Sequence, residues 1–254
     1  VESFVSLGRL HIPVTGIFAA AGLMSAMALG LRTAVLAGVD PDGFWNLGFV
    51  SVLGAFVISR AVLVIENLST FLQFPVAVLE LPTLTNTGLL CTLVFAGVYL
   101  RRHKLPLLGV LDAAAPCAPL FLAFLSVGSW MGGTREGMPT TLPWSVGSSF
   151  GRVHPVELYS AIVWGMTCAA LLVVLKRRPL RGELAGFGLV AAGLANALLP
   201  FWKLPNMLYV DQRLDAQQWR GVEMIVIGSL LLAWRFAVAD RRGAGAAQEV
   251  SRAV

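Results

Sequence analysis

Apolar residues in this chain come in long runs, without the alternation of half-buried strands or the narrow stripe of a surface helix. A helix needs about 20 mostly apolar residues to cross a hydrocarbon core. By that length seven spans are expected, at 11–31, 44–65, 81–100, 108–130, 155–175, 184–202 and 222–239. The runs are too long for barrel strands, so the predicted element is the helix. The fold class expected is all-α, a polytopic membrane bundle with a single integral membrane domain over residues 1–240. A disordered tail is expected over 241–254, where the residues are small and polar. Three connections are long, at 66–80, 131–154 and 203–221. They carry Phe71, Phe74, Trp144 and Trp219, side chains suited to the headgroup level. Neither an internal repeat nor a separate soluble domain is evident.

Charge sets the orientation. Arg101, Arg102 and Lys104 separate the third and fourth spans; Lys176, Arg177, Arg178 and Arg181 separate the fifth and sixth; Arg241 and Arg242 follow the last. The 66–80 connection carries acid and no base. Basic loops stay in the cytoplasm, so the N-terminus is expected outside and the C-terminus inside. The first loop departs from the pattern, with Asp40 and Asp42 after a single Arg32. Composition agrees: of 254 residues, 57% are hydrophobic and only 13% charged, too few charges to cover a soluble domain of this size. The net charge of +5 then belongs to cytoplasmic loops, and no nucleic-acid partner is expected. Glu2 and Arg9 precede the first run where a secretory signal would carry a basic cluster. Cys91, Cys117 and Cys168 all lie within apolar runs and suggest neither a metal site nor a disulfide. No phosphate-binding glycine loop is present, and no cofactor is expected.

On this topology the polar side chains gather on one side. Arg60, Asn86, Ser126, Ser129, His154, Glu157, Tyr159, Asn196 and Lys203 fall in the outer half of the spans, with Arg135, Glu136 and Arg152 in the loop between; Asp112 is the exception. A charge near the bilayer centre costs roughly 2.5–3.5 kcal/mol even on the gentler scale, so such groups pair, line a cavity or bind substrate. Two readings stand for each: snorkelling to the interface, or membership of a polar site facing the outer leaflet. For Asp112, pairing with a base or a helix end is favoured over chemistry. Trp144 reads as an interfacial anchor, and His154-Pro155 by itself reads as a helix start.

The stretch 128–159 reads GSWMGGTREGMPTTLPWSVGSSFGRVHPVELY. It resembles the signature region of the bacterial prolipoprotein diacylglyceryl transferase family. Gly128, Gly133, Gly137, Pro143, Trp144, His154, Pro155, Leu158 and Tyr159 match, and Arg152 matches with one residue inserted before His154. Upstream, residues 54–60 look like the family's Gly-x-x-Gly-Ala-Arg segment, and Asp112 falls on a family aspartate. Departures are many. Asn86 stands for a histidine, Ser126 for an arginine, Ser129 for an asparagine and Thr134 for a glutamate. Asn196 stands for an arginine, Glu157 for a glutamine and Ser160 for a glutamate.

The resemblance implies a multi-pass protein of the bacterial inner membrane. It would move a diacylglyceryl group from phosphatidylglycerol, or a similar lipid, to the cysteine thiol of a prolipoprotein lipobox at the outer face. That chemistry requires a cationic clamp for the phosphate and a base for the thiol. The implied catalytic residues are His154, Arg152 and Tyr159. The implied substrate-binding residues are Arg60, Asn86, Ser126, Gly128, Ser129, Gly133, Arg135, Gly137, Glu157 and Asn196. The departures leave an alternative, a non-catalytic lipid-binding relative acting as a membrane partner or structural subunit. A small transporter fits less well, since paired broken helices are not evident.

Overall fold

A computed structural model describes residues 4–7, 10–73, 85–148, 151–177, 180–204, 208–209 and 214–253. The described residues form an all-α bundle. Its helices are α1 (Val14–Leu36), α2 (Pro41–Glu66), α3 (Leu68–Gln73), α4 (Asn86–Arg102), α5 (Leu107–Ala114), α6 (Cys117–Met131), α7 (Val156–Lys176), α8 (Glu183–Leu198) and α9 (Ala216–Ala253). A 3-10 turn, Leu199–Trp202, extends α8. Three short antiparallel hairpins decorate the helices: β1 (Phe4–Leu7) with β2 (Leu10–Pro13), β3 (Val146–Ser148) with β4 (Gly151–Val153), and β5 (Leu208–Tyr209) with β6 (Leu214–Asp215).

Among the described residues, six helical stretches are long and apolar enough to cross a membrane: Val14–Leu36, Pro41–Glu66, Leu107–Met131, Val156–Lys176, Glu183–Trp202 and Ala216–Arg241. The third expected span corresponds to α4, which has 17 residues; positions 81–84 of that span lie outside the described residues. The fourth is interrupted. Pro116, with no N–H to donate, separates α5 from α6. The first helix starts later than expected. His11 lies on β2, because Pro13 is extended (φ −65°, ψ 135°) and the chain before it pairs as a hairpin.

Lipid offers helices no hydrophobic reason to associate, so close backbone approach and interhelical bonds must hold them. α8 lies along α9, α1 against α6, α6 against α7, and α2 against α4. Between α1 and α6 the fit is reciprocal: Phe124 covers Gly22, and Phe18 covers Gly128. The α8–α9 contact is backbone against backbone, since a Cβ on Gly193 would stand 2.6 Å from the Gly221 carbonyl oxygen.

One end of the bundle is closed by polar bonds that an apolar interior could not leave open. Asp112 on α5 is buried and accepts from the N–H groups of Gly182 (2.5 Å) and Ala185 (2.8 Å), capping α8 from another helix. Thr33 on α1 donates to the Ala113 carbonyl at 2.8 Å. Ala34, Val39, Leu47, Leu100, Val110 and Ala113 make the apolar core beside them. The helix-end reading of Asp112 therefore holds. The opposite end, where α6 stops and α7 starts, carries the candidate site.

Candidate active site at the clasped end of the bundle

The segment after α6 is where local sequence determines local shape. α6 ends in a Schellman motif, with Thr134 N–H donating to Ser129 O (3.0 Å) and Gly133 N–H to Trp130 O (3.2 Å). That motif needs a left-handed residue, and Gly133 supplies it at φ +91°. The chain then runs extended between two neighbours. On one side Thr140 N–H donates to Arg152 O (2.9 Å) and His154 N–H to Met138 O (3.0 Å). On the other, Met138 N–H donates to Trp202 O and Leu204 N–H to Glu136 O, both at 2.8 Å. Residues 136–140 thus clasp β4 to the end of α8. Gly137 sits at the tightest point, because a Cβ there would collide with the carbonyl of His154.

Tyr159, one turn into α7, is the centre of the side-chain cluster. Its hydroxyl accepts from Trp144 Nε1 at 2.7 Å and lies 3.5 Å from His154 Nδ1. Trp202 meets the Tyr159 ring edge-on at 6.4 Å. Arg152 is exposed, with Nη2 3.4 Å from Pro143 O and 3.5 Å from Ser145 O. Arg152 and His154 flank Val153, which is buried, so strand alternation turns both to the opposite side.

Around this cluster the other ionisable groups are engaged. Arg135 donates to Thr134 O (2.7 Å) and Trp130 O (3.0 Å) and stacks over the Trp130 ring at 4.1 Å. Lys203 pairs with Glu136 at 3.3 Å. Glu157 is buried; its Oε1 accepts from Glu136 N–H at 3.2 Å, and among the described residues its Oε2 has no partner. Glu157 therefore braces the clasp from beneath.

The structure brings together Arg152, His154, Tyr159, Gly137 and Glu157, with Gly133 and Arg135 in the adjoining turn. It leaves the others elsewhere. Gly128 is a helix-packing position under Phe18. Ser126 donates to Leu122 O on its own helix at 2.8 Å, and Ser129 is half-buried one turn before the clasp. Asn196 donates to Ala192 O (2.9 Å) and accepts from Gln217 at 3.1 Å. It also borders an apolar cavity of ≈ 330 Å³ between α5, α6, α7, α8 and α9, whose other lining includes Leu122, Trp164, Thr167 and Met224. Arg60 on α2 lies over the Phe71 ring at 5.2 Å. Asn86 opens α4; its side chain lies outside the described residues.

Sequence reasoning misses two members. Trp144, expected as an interfacial anchor, is a hydrogen-bond donor to Tyr159, a pairing that only the β3–β4 hairpin creates. Trp202 is expected only as the end of a span. Its position after Pro200, where an apolar helix stops, is the available signal.

Comparison with known proteins bears on the same residues. The family described as prolipoprotein diacylglyceryl transferase matches residues 2–234. A phosphatidylglycerol–prolipoprotein diacylglyceryl transferase of Xanthomonas campestris pv. campestris (strain B100) is 30% identical over 234 residues, covering 79% of this chain and 78% of that protein. One from Photobacterium profundum is 28% identical over 246 residues, covering 91% and 92%. A third, from Xanthomonas euvesicatoria pv. vesicatoria (strain 85-10), is 28% identical over 264 residues, covering 90% and 88%. With a match that takes in five of the membrane-length helices, most of the last and the whole clasp, the chain belongs to the prolipoprotein diacylglyceryl transferase family.

Proposed function

We propose that this protein transfers a diacylglyceryl group from phosphatidylglycerol to the thiol of a lipobox cysteine, at the outer face of the bacterial inner membrane. In this reading the clasped end faces outward, the N-terminus is outside and the basic loops are cytoplasmic. One observation carries it: Trp144, Tyr159 and His154 form a linked cluster, and Arg152 lies beside it on the same side of β4. Arg152 clamps the lipid phosphate. In the tautomer that carries its proton on Nδ1, facing Tyr159, His154 keeps Nε2 for the thiol proton. The thiolate attacks the glyceryl carbon next to the phosphate oxygen; a C–S bond forms, the C–O bond breaks, and glycerol phosphate leaves with the bonding pair. The 3.5 Å contact is long for a working hydrogen bond, as catalytic contacts are before substrate tightens them. Gly137 and Glu157 position His154 through the backbone.

The test is complementation. The chain is expressed in a bacterium depleted of its own transferase, and the gel shift of a model prolipoprotein is followed. Modification is expected, and Arg152→Ala and His154→Ala are each expected to slow it by about 10²-fold or more. Unchanged transfer in both variants would remove these roles.

A second reading is favoured by a specific feature. At Ser126 and Asn196, where the resemblance expects arginines, Ser126 bonds within its own helix, Asn196 is held by Ala192 O and Gln217, and the cavity beside Asn196 has no charged residue among its described lining. A lipid-binding relative without turnover would look this way. Stable co-purification with one partner and no transfer would support it; turnover by the chain purified alone would exclude it.

A further inference from the structure

At the end of the bundle opposite the clasp, α4 and the turn after it border a groove of ≈ 530 Å³. Val94, Gly97, Val98 and Leu107 are among its walls, and Arg101 and Lys104 line it as well. Val94 is 69% exposed and Leu107 55%, and a Cβ on Gly97 would meet nothing within 4 Å. The groove therefore opens away from the bundle, on the part of α4 not used against α2.

The turn itself is unusual. Three helices end in the same Schellman geometry, closed by Val39 N–H to Ala34 O (2.9 Å), Leu105 N–H to Leu100 O (3.0 Å) and Thr134 N–H to Ser129 O (3.0 Å). α1 and α6 place glycine at the left-handed position, Gly38 at φ +67° and Gly133 at φ +91°. α4 places Lys104 there, at φ +54°. A Cβ is disfavoured in that region, so the turn does not explain the lysine, whereas a need for charge at this point does. Of the acidic groups at this end, Asp40 accepts from Gly43 N–H, Glu183 from Leu180 N–H, and Asp112 from Gly182 and Ala185, while Asp42 in the first turn of α2 is exposed.

We propose that this groove is a selective site for one anionic phospholipid, with its phosphate against Arg101 and Lys104 and an acyl chain along Val94, Gly97 and Val98. Two cations at the mouth of an apolar groove at a membrane surface recognise that combination, and a zwitterionic lipid satisfies only half of it. The site lies at the far end from the clasp and does not rest on the transferase reading.

The full chain is purified in mild detergent, and binding of cardiolipin and of phosphatidylethanolamine is measured by native mass spectrometry. Cardiolipin is the probe because it is not the donor lipid proposed for the clasp. Wild type is expected to retain cardiolipin selectively. Arg101→Ala with Lys104→Ala is expected to weaken it about thirty-fold, roughly five-fold per cation. Gly97→Leu, which fills the groove without touching a charge, is expected to weaken it as well. Lys104→Gly separates charge from fold: it relieves the left-handed backbone, so the melting temperature should rise while cardiolipin binding falls about five-fold. Equal retention of the two lipids, wild-type binding by the double variant, or wild-type binding by Gly97→Leu would each overturn the proposal. Transfer activity at the clasp is expected to be unchanged in all of these variants.

Discussion

Replacing Gly137 by alanine is the sharpest perturbation of the clasp. The added carbon would overlap the His154 carbonyl oxygen and lie 2.8 Å from its carbonyl carbon and 3.0 Å from its amide nitrogen. All three are backbone atoms, so no rotamer change relieves the contact; ordinary separation begins at about 3.4 Å, and one strand must move. Overpacking of this kind costs about 1–3 kcal/mol. The bonds nearest it, His154 N–H to Met138 O and Met138 N–H to Trp202 O, are worth about 1 kcal/mol each. A local loss of about 3–5 kcal/mol is then expected, against a bundle whose α1–α6 and α8–α9 contacts are untouched. Displacing His154 by about 1 Å should slow transfer by roughly 10²-fold. Two measurements check this: prolipoprotein transfer by the purified variant, and hydrogen exchange of the amides of Met138, Thr140 and His154, which should speed up while those of α1 and α6 do not. Wild-type transfer with wild-type protection at these three amides would refute the reasoning.

Other perturbations separate structure from chemistry. Asp112→Ala leaves two N–H groups of α8 without an acceptor and should cost about 3 kcal/mol in thermal unfolding, with Asp112→Asn, which keeps one oxygen, costing less; wild-type melting of both variants would show that the cap plays no part. Gly193→Ala drives a Cβ into the Gly221 carbonyl and should lower stability by about 1–3 kcal/mol, read as a drop in melting temperature, whereas an unchanged melt would mean α8 and α9 can separate freely. Trp144→Phe removes the donor to Tyr159 and should slow transfer about five-fold with the fold intact. Lys203→Ala breaks a pair with Glu136 that is open to water and should change stability by less than about 1 kcal/mol, so a larger fall would point to a buried role.

The hydrophobic runs were legible because a membrane helix announces itself by length and composition, properties that need no tertiary context. What they missed has local causes. Pro116 splits α5 from α6 within a run that is apolar apart from Asp112, since proline counts as neither charged nor strongly polar in such a reading. His11 is drawn into the first span by its apolar neighbours, while Pro13 fixes the start of α1. In the site, Arg152, His154 and Tyr159 could be grouped because the family resemblance falls on all three, within eight positions of one another. The links to Trp202 and Glu136 depend on residues 136–140 threading between β4 and the end of α8, a non-local pairing of short extended segments with no periodicity to read. Conversely Ser126 and Asn196 looked like site positions by alignment, yet hydrogen-bonding to a helix's own carbonyls is the ordinary fate of a small polar side chain in an apolar span.

The cations at the clasped end can be ranked by what an incoming phosphate would have to displace. Arg135 makes bonds of 2.7 and 3.0 Å to carbonyls and covers an indole face, so turning it outward forfeits two good hydrogen bonds and a cation–π contact. Lys203 would have to leave Glu136, whose carboxylate would itself repel the phosphate. Arg152 gives up contacts of 3.4 and 3.5 Å, at the limit of hydrogen bonding, and is already exposed. A phosphate can therefore engage Arg152 bidentately at small loss, while the same move by Arg135 begins with a deficit of a few kcal/mol. On the proposed transferase reading, the phosphate end of the lipid is expected beside Arg152 and His154 at the bundle's end. The consequence is asymmetric: Arg152→Lys, which keeps charge but loses the planar fork, should impair transfer more than Arg135→Lys does, and the opposite order in a transfer assay would move the phosphate to the α6 turn.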